Sequence, residues 1–146
     1  MREKDLENPN PRILLAEDDH DLRELLAFSL FRAGYSVTSC GNGLELLERL
    51  EPHPEAGGER FDLVLTDLRM PALTGLEVLE ALHDLPRRPP FVCMTAFGDA
   101  STHAAARKLG AALTIDKPFD LDQLIALVSV LCPLGRRKVN KPRRMS

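Results

Sequence analysis

Five short runs of β-forming residues alternate with five helical patterns along this chain, and that alternation restricts the possible folds more than any other feature. The runs are RILLA (12–16), YSVTS (35–39), FDLVLT (61–66), PFVCMT (90–95) and AALTI (111–115). After the first run, Leu22, Leu25, Leu26 and Leu30 recur at helical spacing and stop at Gly34, with Asp21 and Glu24 as the expected capping box. The same periodicity predicts helices over 43–50, 75–84, 99–109 and 120–131. Regular βα repetition calls for a parallel sheet with right-handed crossovers and helices on both faces. The expected class is therefore α/β, a doubly wound (βα)5 sheet, and the leucine stripes are its expected core.

The 146 residues, 44% of them apolar, are enough for one domain with an ordinary core. Charge is unevenly spread. Residues 133–146 (PLGRRKVNKPRRMS) hold six Lys or Arg and no acid, so the rest of the chain carries 13 basic against 22 acidic residues. The expected layout is an N-terminal extension over 1–10, a globular domain over 11–132 and a basic, disordered tail over 133–146. Lacking aromatic residues and a helical face, that tail is a poor candidate for sequence-specific nucleic-acid recognition. EPHPEAGGER (51–60) reads as an exposed loop. Cys40, Cys93 and Cys132 form no CxxC pair and read as buried free thiols. The four histidines share no spacing and read as surface or loop residues. No signal peptide and no apolar run of about 18 residues is present, so a soluble, cytoplasmic protein without membrane contact is expected.

The chemistry lies where the strands end. FDLVLTDLRMP (61–71) is nearly continuous in apolar residues, as a strand buried on both faces is, and it finishes on Asp67. Alone, such an Asp would most simply form an Asx-turn. It is not alone. The first strand is followed by Glu17, Asp18 and Asp19, the fourth contains Thr95 at its end, and the fifth is followed by Asp116, Lys117 and Pro118. In a parallel sheet all these ends lie on one edge, where open α/β folds bind ligands. Crowded carboxylates resist ionisation unless a cation joins them, and Mg²⁺ suits oxygen donors. Lys117 and Thr95 could then hold phosphoryl oxygens at Asp67. Asp19 is expected to start or cap the first helix.

The segments EDD (17–19), LVLTDLRMPALTGLEVL (63–79), CMTA (93–96) and DKPFDLDQL (116–124), in this order and spacing, closely resemble the receiver domain of two-component response regulators over about residues 11–132. The resemblance implies a flavodoxin-like sheet in the order 2-1-3-4-5. It also implies that Asp67 is the phosphoacceptor and that Glu17, Asp18, Asp67 and the Arg69 backbone carbonyl are ligands of Mg²⁺. Thr95 becomes the switch hydroxyl and Lys117 the phosphate partner. Ala96, Thr114 and Pro118 complete the switch region, with a cis peptide before Pro118. Met70, Pro71 and Gly75 match the loop after the acceptor, where Pro stops the strand and Gly permits the turn. Such a protein is a signalling receiver that catalyses its own aspartyl phosphorylation and dephosphorylation. Its implied partners are a histidine kinase or histidine phosphotransfer protein, and a downstream protein on the face of the fourth helix, fifth strand and fifth helix. A monomer or a phosphorylation-dependent dimer is expected.

Three positions depart from the family's pattern. Thr114 stands where the family usually has Tyr or Phe, so the aromatic switch ring is missing. Arg69 and Phe97 occupy places where fast-hydrolysing members carry groups that orient water, which implies a long-lived phosphoryl group. Rival readings are weaker. A Mg²⁺-dependent aspartyl-nucleophile phosphatase needs a second Asp two residues on, where Arg69 stands. A flavin protein of the same fold needs a hydroxyl-rich loop in place of EDDHD. A DNA-binding regulator needs an output domain beyond residue 132, so this chain is expected to be a stand-alone receiver or one cut from a longer protein.

Overall fold

The computed structural model describes residues 10–51, 60–85, 87–96 and 99–134. Most of the expected N-terminal extension, residues 52–59 of the expected loop with His53, Phe97 and the basic tail beyond Leu134 lie outside the described residues. The elements run β1 (Arg12–Ala16), α1 (His20–Ala33), β2 (Ser36–Cys40), α2 (Gly43–Leu50), β3 (Leu63–Asp67), α3 (Gly75–Ala81), β4 (Phe91–Ala96), α4 (Ala100–Lys108), β5 (Leu113–Lys117) and α5 (Leu121–Leu131). The five strands form one sheet in the order β2-β1-β3-β4-β5, and every pairing is parallel. This is the doubly wound order expected above.

Alternation along the strands divides the core. Ile13, Leu15, Leu63 and Leu65 point to one face and pack with Leu26, Leu30, Tyr35, Leu124 and Val128, which are covered by α1 and α5. Leu14, Ala16, Val64 and Cys93 point to the other and meet Leu46, Val78, Leu79 and Ala106 from α2, α3 and α4. All five residues of β3 are buried, as its unbroken apolar run requires, whereas every residue of the edge strand β5 is half-buried. The three thiols are free and buried.

Several boundaries differ from expectation for local reasons. α1 begins at His20 because Asp19 accepts the Leu22 N–H at 3.1 Å, so Asp19 is the N-cap and no capping box forms from Asp21 and Glu24. The reciprocal box forms instead at α3, between Thr74 and Glu77. β5 starts two residues later than AALTI because pairing with β4 begins at Val92 and Leu113. In the stripes, Leu25 and Leu44 are each 49% exposed and are not core. Gly34 ends α1 in the left-handed region (φ 116°), where a Cβ would be strained.

Candidate functional site

The carboxyl ends of β1, β3, β4 and β5 bring the predicted residues together. Past the end of β1, the Glu17 N–H donates to the Cys40 carbonyl, and its side chain turns under the sheet edge with 1% exposure. Arg23 Nη1 holds the Glu17 carbonyl at 2.8 Å, and the Asp19 N–H donates to Glu17 Oε2 at 3.0 Å. Asp67 closes β3. Its Oδ1 accepts the Arg69 N–H at 2.9 Å, and its Oδ2 accepts from Lys117 Nζ at 2.6 Å. Lys117 Nζ also donates to Glu17 Oε1 at 2.9 Å, so one ammonium joins acids that lie 50 and 100 residues away in sequence. The Lys117–Pro118 peptide is cis.

The electrostatics follow from burial. Desolvation raises the pKa of Glu17; hydrogen bonds from Lys117 and the Asp19 amide oppose the shift, and the charge of Asp67 adds to it. For Lys117, burial pulls downward, but the hydrogen bonds and charges of Asp67 and Glu17 outweigh it and the net shift is upward. The ammonium is therefore a fixed charge. Oxygens of Glu17, Asp18 and Asp67 lie within 4.8 Å of one another, a hard donor set that suits a small divalent cation. Asp19 stands apart from this group, as expected, with its carboxylate on the α1 cap.

The loop after Asp67 is shaped by two residues. A Cβ on Gly75 would lie 2.3 Å from the Asp67 carbonyl oxygen, so the glycine serves close approach and not a left-handed turn. The left-handed residue is Ala72 (φ 71°), which corrects the role expected for Gly75. The Arg69 side chain reaches across the edge to Asp99, the N-cap of α4, at 2.7 Å. Hydrogen bonds from Thr102 and Arg69 hold the Asp99 carboxyl below its usual range. Beside the acceptor opens a cavity of about 620 Å³ lined by the polar Asp67, Arg69 and Lys117 and by apolar residues that include Leu22, Leu25, Ala96, Phe119 and Leu121.

Thr95 is fully buried, and among the described residues its Oγ1 is the buried side-chain atom for which no hydrogen-bond partner exists. A buried hydroxyl left without a hydrogen bond costs about 1–3 kcal/mol. Thr114 is half-buried and accompanied: His103 Nδ1 meets its Oγ1, and His103 Nε2 meets Asp116 Oδ1 at 2.6 Å. His103 is thus no surface histidine, unlike the exposed His20 and His83, which face only their neighbours Asp21 and Asp84. Residue spacing carries no sign of this contact, because it joins α4 to a strand eleven to thirteen residues on. The one available signal was Thr114 itself, a small residue that leaves room for a ring from elsewhere.

Comparison with known proteins agrees with this arrangement. The family model of the response regulator receiver domain matches residues 13–129. The chain is 41% identical over 123 residues to the transcriptional activator protein PfeR of Pseudomonas aeruginosa, covering 84% of this chain but only 38% of that protein's length. It is 31% identical to sporulation initiation phosphotransferase F of Bacillus subtilis, over 86% of this chain and 96% of that one. Among solved structures, the Francisella response regulator 1452 receiver domain superposes with a TM-score of 0.74 at 25% identity, covering 88% of this chain and 99% of that one. Full-length FixJ from B. japonicum does so at 0.73 with 34% identity, over 83% and 57%. With its sheet order, acid cluster and partnered lysine, this chain belongs to the response regulator receiver domain family, a family of signalling domains.

Proposed function

We propose that the chain works as a phosphoacceptor: Asp67 takes a phosphoryl group from the phosphohistidine of a histidine kinase or phosphotransfer protein, and the modified form binds a downstream protein through α4, β5 and α5. The observation that carries this reading is Lys117 Nζ seated between Asp67 Oδ2 and Glu17 Oε1, a charge already aimed at the oxygen that would bear phosphorus. In the transfer an Asp67 oxygen attacks the phosphorus as the P–N bond breaks. The imidazole leaves with that electron pair and gains a proton from solvent. Lys117 stays on the phosphoryl oxygens, and the buried Thr95 hydroxyl gains in them the partner it lacks. The apolar walls of the adjoining cavity suit the ring of the donor histidine. Glu17, Asp18, Asp67 and the Arg69 carbonyl would hold Mg²⁺, which when bound supplies the positive charge that such a cluster and a phosphate together need. With the Arg69 guanidinium on Asp99, and with donors only, that side chain cannot accept a proton from an attacking water, which favours a slow loss of phosphate.

The test is mass spectrometry after incubation with acetyl phosphate. We expect one added phosphoryl mass with Mg²⁺, none in a chelator and none in Asp67→Asn. Asp18→Asn should weaken Mg²⁺ binding far more than Asp19→Asn, whose carboxylate is already used on the helix. Undiminished labelling of Asp67→Asn would refute the assignment.

A further inference from the structure

The polar groups that phosphorylation itself does not use gather between α4 and β5. His103, fourth residue of α4, is only 16% exposed at its side chain, and both ring nitrogens are engaged, one with Thr114 and one with Asp116. An ionised Asp116 can only accept, so Nε2 carries a hydrogen; in the neutral ring Nδ1 then accepts the Thr114 hydroxyl. Thr114 and Asp116 are alternate residues of β5 and share a face, and the register sets Asp116 beside Thr95 and Thr114 beside Cys93. Asp116 is thereby flanked by both residues proposed to hold the phosphoryl group, Lys117 along the chain and Thr95 across the sheet. Among the described residues, apolar burial fastens α4 little at this point. Its sequence ASTHAAARK has no large apolar side chain, and Ala106 is its only buried residue.

We propose that His103 is a positioning residue that passes the state of Asp67 to α4. With Asp67 unmodified, it ties α4 down on β5. When Thr95 and Lys117 turn to a phosphoryl group, they displace the strand ends on either side of Asp116, the tie is strained, and α4 is released toward the output face. The inference rests on the receiver reading above. Because coupling is reciprocal, removing the tie must also ease phosphorylation. The geometry supplies by a histidine from the helix a linkage that Thr114, too small to span the gap, cannot make alone.

The experiment uses the full chain with acetyl phosphate and Mg²⁺, following phosphoryl mass, amide exchange over residues 104–108 and the ring ¹⁵N resonances of His103. In the native protein, phosphorylation is expected to speed exchange in α4 and to move both ring resonances, a signature that a merely structural histidine would not give. In His103→Leu, exchange in α4 should be fast beforehand and change little, while the ratio of phosphorylated to unmodified chain at a fixed acetyl phosphate to acetate ratio rises about two- to tenfold, the worth of one net hydrogen bond. Thr114→Val, which keeps the His103–Asp116 bond, should fall between and serves as the decisive variant if His103→Leu fails to fold. If the native protein gains phosphoryl mass while the His103 resonances stay still, or if both variants match native exchange and extent of phosphorylation, this inference is wrong and the receiver reading stands. If no mass is gained, both fall.

Discussion

α1 and α4 cover opposite faces of one sheet and are held to it by different forces. α1 inserts Leu26 and Leu30 into a cluster that also holds the fully buried Tyr35, whose hydroxyl donates to the Cys132 carbonyl at 2.7 Å and fastens the end of α5 beside it. α4 inserts Ala106 and otherwise relies on Asp99 with Arg69 and on His103 with Thr114 and Asp116. A buried leucine contributes about 1.5–3 kcal/mol, and a net hydrogen bond about 1 kcal/mol. Burial is also indifferent to chemistry, whereas a hydrogen bond can be given up for a better partner. α1 is therefore held chiefly by apolar burial, and α4 by polar contacts that can be exchanged at lower cost.

The widest gap should appear in core truncation. Leu30→Ala is expected to lower unfolding free energy by about 2–5 kcal/mol in urea titrations. Ala106→Gly, the corresponding loss on α4, should cost about 1 kcal/mol. Equal losses would abolish the asymmetry.

Tyr35→Phe makes a finer cut. Losing the donor to the Cys132 carbonyl should cost about 1 kcal/mol and speed amide exchange at the end of α5 while leaving α4 as it was. A change centred on α4 would mean that the two faces are not independent.

A separate test is one of pH. Burial pushes the Cys40 and Cys93 thiols from 9.0 up to about 12, and the Tyr35 phenol from 10.0 up to about 12. Raised folded-state values mean that the folded chain keeps protons the unfolded chain gives up. Stability from these groups is whole below about pH 9 and is lost as pH climbs toward 12. Melting curves recorded across that window should shift steadily downward, and Cys93→Ala should flatten the slope. An unchanged melting temperature up to pH 11 would show that the thiols on the α4 face are already open to solvent.

Much of the site was legible before any fold was known, because each of its members lies at or just past the carboxyl end of a strand in the sequence. Asp67 ends the one strand buried throughout, and parallel pairing carries Glu17, Asp18, Thr95 and Lys117 to the same edge with no choice left open. What could not be read was anything joining residues by side-chain reach. The Arg69–Asp99 bridge, the Arg23 grip on the Glu17 carbonyl and the His103 tie each link elements whose relative placement depends on helix packing, and periodicity says nothing of that.

Helix stripes misled for the same reason: Leu22, Leu25 and Leu26 recur at helical spacing, yet only contact with the sheet decides that Leu26 is covered while Leu25 faces the cavity beside the acceptor. Glycine misled too, since the left-handed position falls on Ala72 while Gly75 serves close approach to the Asp67 carbonyl. The order of apolar runs and turns was enough to dictate a parallel (βα)5 sheet and the edge where its acids meet, because strand burial and crossover handedness are local and general constraints. Only the packed chain decided that one lysine stands between two carboxylates, that the Thr95 hydroxyl is buried without a partner, and that a histidine on α4 binds β5. Those are matters of distance across the fold, and distance is set by how the layers close on one another.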